Sequence, residues 1–216
     1  MPTVELFGLE RSVYTRIARL VLEEKGVEYT LHEVDIFGPL GVPDEHLQRH
    51  PFGRIPVLRH GSFELYETAA ITRYVDEAFD GPALQPIEAA PRARMNQLIG
   101  LLDAYAYQPM VWGVFVQRVR RPLQGQPTDE AKVAQSLGQS HACLRALTQL
   151  AAFEPFLVSR SISLADLHAA PMLRYLSLAP EGQALLDQQH ALAHWLQTML
   201  ARPSMLRTAT RYEMAA

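Results

Sequence analysis

The sequence predicts an α/β amino-terminal domain over residues 1–80, a linker at 81–91 and an all-α helical bundle over residues 92–216. A β-α-β pattern opens the chain, and a hairpin pattern followed by an amphipathic helix completes the first part. Beyond the linker the residues are helix-compatible and no hairpin signature recurs. A chain of 216 residues has room for two such domains, each with its own core.

Residues 3–7, TVELF, are β-favouring and partly alternating, and residues 8–12 interrupt them. In the following RIARLVLEEKG, Ile17, Leu20 and Val21 fall on one helical face, Glu23, Glu24 and Lys25 mark the wet end, and Gly26 closes the helix. VEYTLHEVD then alternates as a second strand, and a helical crossover makes the two strands parallel. Residues 37–54 are interrupted repeatedly by glycine and proline, with room for a short helix around residues 45–49. Apolar runs at 55–58 and 63–66 flank Gly61 as a hairpin, and TAAITRYVDEAF follows as a helix. The linker is marked by DGPALQPIEAAP, and helix breaks are expected near 122–127, 154–163 and 180–182.

Composition removes several functions. Twenty Lys and Arg against 23 Asp and Glu leave a net charge of -3, so no global attraction draws the chain to nucleic acid or an acidic membrane. The start MPTVELFGLERS has charges where a signal peptide needs an apolar run, and no stretch of 18 apolar residues occurs. The single cysteine, Cys143, supplies neither an intramolecular disulfide nor a multi-thiolate metal site, which suits a reducing, cytoplasmic setting. Eight scattered histidines show no metal-ligand spacing, so no metal is expected. The basic run RVRRP at 118–122 reads as a solvated helix end.

Three local patterns could carry chemistry. In HPFGRIPVL, Pro56 sits at a strand start; a cis peptide there turns the backbone of Ile55 outward for an extended ligand, whereas a trans bond makes it an ordinary edge residue. Glu67 and Thr68 precede a helix, where the hydroxyl and free amides suit a carboxylate and the acid suits an ammonium group; the bland alternative is a plain helix cap. Ser12 has the same two readings, a helix cap, which is the commoner use of a serine before a helix, or a hydroxyl donor, with no nucleophile elbow around it. Ser163, Asp166 and His168 suggest a hydrolase triad on paper, but Ser163 and Asp166 have capping-box spacing.

Taken together, Ser12, HPFGRIP, ELYETAAI, the proline-rich linker and SLAD in a helical half resemble the cytosolic glutathione S-transferases of the serine type. Residues resembling PEHL and the stretch YQPMVWGVFVQRVRRPLQG are similar to the phi subgroup and its bacterial relatives. The resemblance spans nearly the whole chain. It implies a thioredoxin-like first domain, glutathione as co-substrate, a small hydrophobic electrophile as second substrate, a detoxifying role and a homodimer. It assigns Ser12 to the glutathione sulfur, Ile55 and Pro56 to the cysteinyl backbone, Glu67 and Thr68 to the γ-glutamyl end, and Arg54 to the glycyl end. Three positions depart from the pattern: Leu40-Gly41-Val42 replaces a basic anchor for the glycyl carboxylate, His50 replaces asparagine, and Thr68 replaces serine. Phe7 occupies the position of the tyrosine in tyrosine-type members, and the location of Cys143 excludes the cysteine type.

The implied mechanism lowers the pKa of a thiol that is about 8.5 when free, using Ser12, helix-start dipoles and Arg11, before attack on the electrophile. Phe37, Tyr107, Val111 and Phe115 are the expected electrophile pocket, the last three sharing a helical face at four-residue spacing; that face equally suits bundle or dimer core. A noncatalytic binding module of the same fold is the alternative, and a glutathione-dependent isomerase is disfavoured by Ser12-Val13-Tyr14 in place of Ser-Ser-Cys.

Overall fold

The computed structural model describes residues 2–39 and 41–214. The chain forms two compact units, Met1–Ala83 together with Ser204–Ala215, and Leu84–Pro203. The first contains β1 (Val4–Gly8), α1 (Val13–Lys25), β2 (Thr30–Glu33), α2 (Asp44–Arg49), β3 (Val57–His60), β4 (Phe63–Tyr66) and α3 (Thr68–Ala78). The sheet order is β2-β1-β3-β4. β1 and β2 are parallel, as a helical crossover requires, and β3 is antiparallel to both β1 and β4.

Alternation along the strands separates two faces. Leu6 and Leu58 are fully buried, while α1 and α3 lie against each other and bury Ile17, Leu20, Val21, Ile71 and Val75. The other face is polar: Glu5 pairs with His32 at 2.8 Å and with Arg59 at 2.6 Å. Arg49 of α2 covers this face, its guanidinium 4.3 Å from the centre of the Phe7 ring. Gly26 ends α1 with φ 68°, and its N–H returns to the carbonyls of Leu22 and Glu23, closing the helix as its position predicts.

In the second unit α4 (Ala89–Leu101) continues into wider turns over Leu102–Ala106 and Gln108–Arg120 before a last turn, α5 (Arg121–Leu123). In the wide stretches the N–H of Tyr107 reaches the carbonyl of Leu102, and that of Arg121 reaches Val116, five residues back in each case. Periodicity announces a helix here but not its ring size. Then come α6 (Glu130–Leu150), α7 (Leu164–Ser177), α8 (Pro180–Asp187) and α9 (His190–Leu200). Twelve of the fourteen α7 residues are buried, the signature of a helix enclosed on all sides.

At the head of α7 the carboxylate of Asp166 accepts the Ser163 amide at 2.9 Å and hydroxyl at 2.7 Å. Its second oxygen accepts the Leu157 amide at 2.8 Å and the Trp195 indole N–H at 2.9 Å. The three residues therefore form no triad: His168 points to Asp103, 2.7 Å away.

One boundary differs from the sequence expectation. The helical domain expected over 92–216 gives up its end, because α10 (Pro203–Arg207) and α11 (Arg211–Met214) carry residues that belong from Ser204 onward to the first unit. Helical periodicity shows that these residues are amphipathic. It does not show which core they join.

Candidate active site

The strand register gathers the site. Phe7, next to last in β1, stands opposite Val57, the first residue of β3, and Val57 in turn stands opposite Tyr66, the last residue of β4. Paired residues of antiparallel strands are about 5 Å apart. The loop that ends at Ser12, the residues before β3 and the residues after β4 therefore leave the sheet along one edge.

Ser12 caps α1 with extended backbone (φ -76°, ψ 130°), and its Oγ accepts the Thr15 N–H at 3.4 Å. The serine O–H has no acceptor among the described residues, so its proton is available to a ligand. Thr15 also binds the approach to the helix, its Oγ1 accepting the Leu9 N–H at 3.4 Å. Gly8 permits that approach, since a Cβ there would lie 2.4 Å from the same Oγ1. Arg11 does not stand as a free cation beside the cap: its guanidinium contacts the Asp35 carboxylate at 3.4 Å.

Ile55-Pro56 is a cis peptide. The side chain of Ile55 is buried, while its backbone N–H and C=O bond to nothing among the described residues. Arg54 is exposed, and its carbonyl meets His46 Nε2 at 2.7 Å. The imidazole of His50 holds the next turn, Nδ1 accepting the Phe52 N–H at 3.3 Å while the ring packs on Tyr66. Burial pushes the His50 pKa down, and Glu67 acts in the opposite sense, which places this imidazole within the field of the candidate ammonium site. The sequence marks His50 only as a replacement for asparagine and gives His46 no role; His46 lies on α2 and His50 caps its end.

Glu67 has φ 70° and ψ 111°, a left-handed conformation that costs a residue with a side chain on the order of 1–3 kcal/mol. It is exposed, and its carboxylate has no cation partner among the described residues. Its carbonyl takes the N–H groups of Ala70 and Ile71 at 2.9 Å. The amides of Thr68 and Ala69 are left without partners at the start of an eleven-residue helix, beside the Thr68 hydroxyl. This is an anion-binding arrangement flanked by a negative charge, suited to one zwitterionic head.

The residues expected to meet the electrophile belong to both units, and each is described within its own. Phe37 lies in the first unit and is 45% exposed. Phe115 is 2% exposed and stacks on Tyr175 with centroids 4.1 Å apart, and Val111 is likewise buried. These two side chains pack in the interior of the helical unit, as the bundle-core reading of the same face expects; spacing alone does not separate the two readings because core and pocket faces share one periodicity. Tyr107 is half-buried and its hydroxyl accepts the Trp112 indole N–H at 3.0 Å. Of the stretch that replaces the basic anchor, Leu40 lies outside the described residues, and Val42 packs against Gly53. Among the described residues no group of three His, Cys, Asp or Glu has metal-binding geometry, and no helix is long and apolar enough to cross a membrane.

A four-stranded sheet with a serine cap, a cis-proline and an acid-hydroxyl pair along one edge, followed by a helical unit, defines a two-domain protein with a thioredoxin-like first domain. Residues 6–83 match the model of the glutathione S-transferase N-terminal domain, and residues 105–203 match that of the C-terminal domain. Glutathione S-transferase F10 of Arabidopsis thaliana is 30% identical over 201 residues, covering 91% of this chain and 92% of that protein. Glutathione S-transferase 4 of Zea mays is 30% identical over 216 residues, covering 96% and 92%. The structure of glutathione S-transferase III in apo form superposes with a TM-score of 0.84 at 29% identity, covering 95% of each chain. That of glutathione S-transferase I bound with lactoylglutathione gives 0.81 at 25% identity, covering 97% and 99%. The chain belongs to the glutathione S-transferase family, among relatives of the plant F (phi) series, and is a transferase with glutathione as co-substrate. The noncatalytic alternative finds no support in these relationships.

Proposed function

We propose that this enzyme binds glutathione along the sheet edge and activates its thiol through Ser12. The observation that carries the assignment is the register Phe7–Val57–Tyr66, which brings three separate ligand-compatible segments to one edge. Glu67 receives the γ-glutamyl ammonium, while the amide and hydroxyl of Thr68 receive its carboxylate. Ile55 pairs its free backbone groups with the cysteinyl residue, and Pro56 keeps that segment in place. Arg54 lies beside it as the cation for the glycyl carboxylate.

The thiol proton leaves to solvent, and the Ser12 O–H donates to the resulting thiolate, a hydrogen bond to a charge worth about 1.5–3 kcal/mol. Ser12 keeps its own proton throughout. The sulfur lone pair then forms a bond to an electrophilic carbon, and the displaced electron pair leaves with the leaving group or adds a proton from water. The electrophiles are small and hydrophobic, which makes the role one of detoxification. Of the four residues expected to meet the electrophile, Phe37 and Tyr107 keep accessible surface, each in its own unit.

The protein acts as a homodimer in the cytoplasm. Phe52 is 72% and Leu47 41% exposed beside the glutathione segment, an apolar surface suited to a second copy of the chain. The one cysteine is free and buried, as befits a reducing compartment. Calorimetric titration with glutathione, with thiolate ultraviolet absorbance followed across pH, tests the proposal. Binding with the thiol pKa well below about 8.5 is expected. No binding at millimolar glutathione, or binding with an unshifted thiol, overturns it.

A further inference from the structure

The helix that presents Ser12 is gripped from behind. Arg16, in the first turn of α1, donates its amide to the Ser12 carbonyl at 2.9 Å. Its side chain is 1% exposed, an unusual setting for a guanidinium. Nε donates to Thr208 Oγ1 at 3.4 Å and Nη2 to the Met205 carbonyl at 3.1 Å, while Nη1 meets Glu213 Oε1 at 2.5 Å. The same Glu213 oxygen accepts the amide and the hydroxyl of Thr210, both at 3.1 Å. All these partners lie in the C-terminal segment that rejoins the first unit. Two more ties hold the far end of α1: Glu24 accepts the Ser204 hydroxyl at 2.5 Å, and Glu23 accepts Arg207 Nε at 2.6 Å.

Desolvation offsets most of the attraction in a buried ion pair, so net stability is a poor reason for placing one there. A planar guanidinium with several fixed donors does supply direction, which apolar packing does not. The neighbouring residue, Thr15, ties the same turn to the β1–α1 loop through Leu9. The first turn is therefore fixed on two sides, and the serine hydroxyl projects from the end so fixed.

We infer that Arg16 is a positioning residue for Ser12, and that residues 204–214 act through it to hold the serine hydroxyl against the glutathione sulfur. The inference rests on Ser12 being the thiolate donor. A hydrogen bond to a thiolate depends steeply on distance and angle, so a small rotation of the first turn weakens it without disturbing Glu67 or Thr68.

Arg16→Lys tests this with the charge unchanged, so that an altered thiol reports geometry. Thr208→Val removes one partner of the guanidinium at constant size and charge, and serves if the lysine variant does not fold. The pKa of bound glutathione, read by thiolate absorbance, is expected to rise by about half a unit or more in Arg16→Lys. At slightly acid pH that is about a threefold loss of thiolate, with a matching fall in kcat. KM for glutathione should stay within about twofold of the original, and Thr208→Val should move the same way by less. Folded variants that lose thermal stability but keep the thiol pKa and kcat overturn the inference. Ser12→Ala run alongside separates the two failures: if it also leaves the thiol pKa unmoved, the Ser12 assignment itself falls, and the inference with it. If it alone raises the pKa, Ser12 stands and the Arg16 inference is overturned.

Discussion

The ring of His50 lies 4.5 Å from that of Tyr66, centroid to centroid, and so joins the loop before the cis-proline to the strand that delivers Glu67. His50 Nδ1 must be unprotonated to accept the Phe52 N–H. Burial lowers its pKa from the ordinary imidazole value of about 6.5. Below that value the unfolded chain binds the proton more readily than the folded one, so stability increases with pH across the window. The contribution is fully present above about pH 6.5 and is lost as pH falls toward the lowered folded value. Thermal melting measured across this range should show a steeper acid loss for the native protein than for His50→Asn, which has no proton to take up there. Parallel pH profiles would remove His50 from this role.

Ser12→Ala removes the hydroxyl and leaves the rest of the sheet edge in place. The lost hydrogen bond to a charge corresponds to a fall in kcat/KM of about 10- to 100-fold. The dissociation constant for glutathione, measured by calorimetry, should change by less than about threefold, because the serine acts mainly once the thiolate forms. Unchanged turnover would exclude Ser12 from the mechanism.

Glu67→Gln and Thr68→Val address the other end of the tripeptide. Each removes one charged or polar contact, and each should weaken glutathione binding by about tenfold or more. The thiol pKa in the saturated complex should stay close to that of the native protein. A dissociation constant untouched in both variants would reject the assignment of this helix start to the γ-glutamyl group.

Asp166 is fully buried and accepts four hydrogen bonds, while burial pushes its pKa up. Asp166→Ala leaves those four donors unpaired in the interior and should destabilise the protein by about 3–5 kcal/mol. Denaturant unfolding monitored through tryptophan fluorescence is a direct readout, since Trp195 is one of the donors. A loss below about 1 kcal/mol would show that the capping network is dispensable.

Local signals in the sequence specified the elements and the residue types of the site. The period of two in TVELF, the three- and four-residue spacings of Ile17, Leu20 and Val21, and Gly26 as a stop are properties of neighbouring residues, and they appear as β1 and α1. The Ser163–Asp166 spacing likewise became a capping box because its geometry is closed within one helical turn. Ser12, Pro56, Glu67 and Thr68 were legible as chemistry-bearing residues, each with a structural alternative that spacing alone left standing.

Tertiary structure decided what those residues share and what supports them. Strand order put Val57 between Phe7 and Tyr66, a pairing between segments far apart in the chain that no local pattern encodes. It made Phe115 a core residue stacked on Tyr175, and it gave His46 and His50 hydrogen bonds to the segment before the cis-proline. It also drew residues 204–214 back to α1, where a buried arginine requires an acid that lies 197 positions away in sequence. A helical period states which side of a segment is apolar, and only the packed chain determines which partner that side meets.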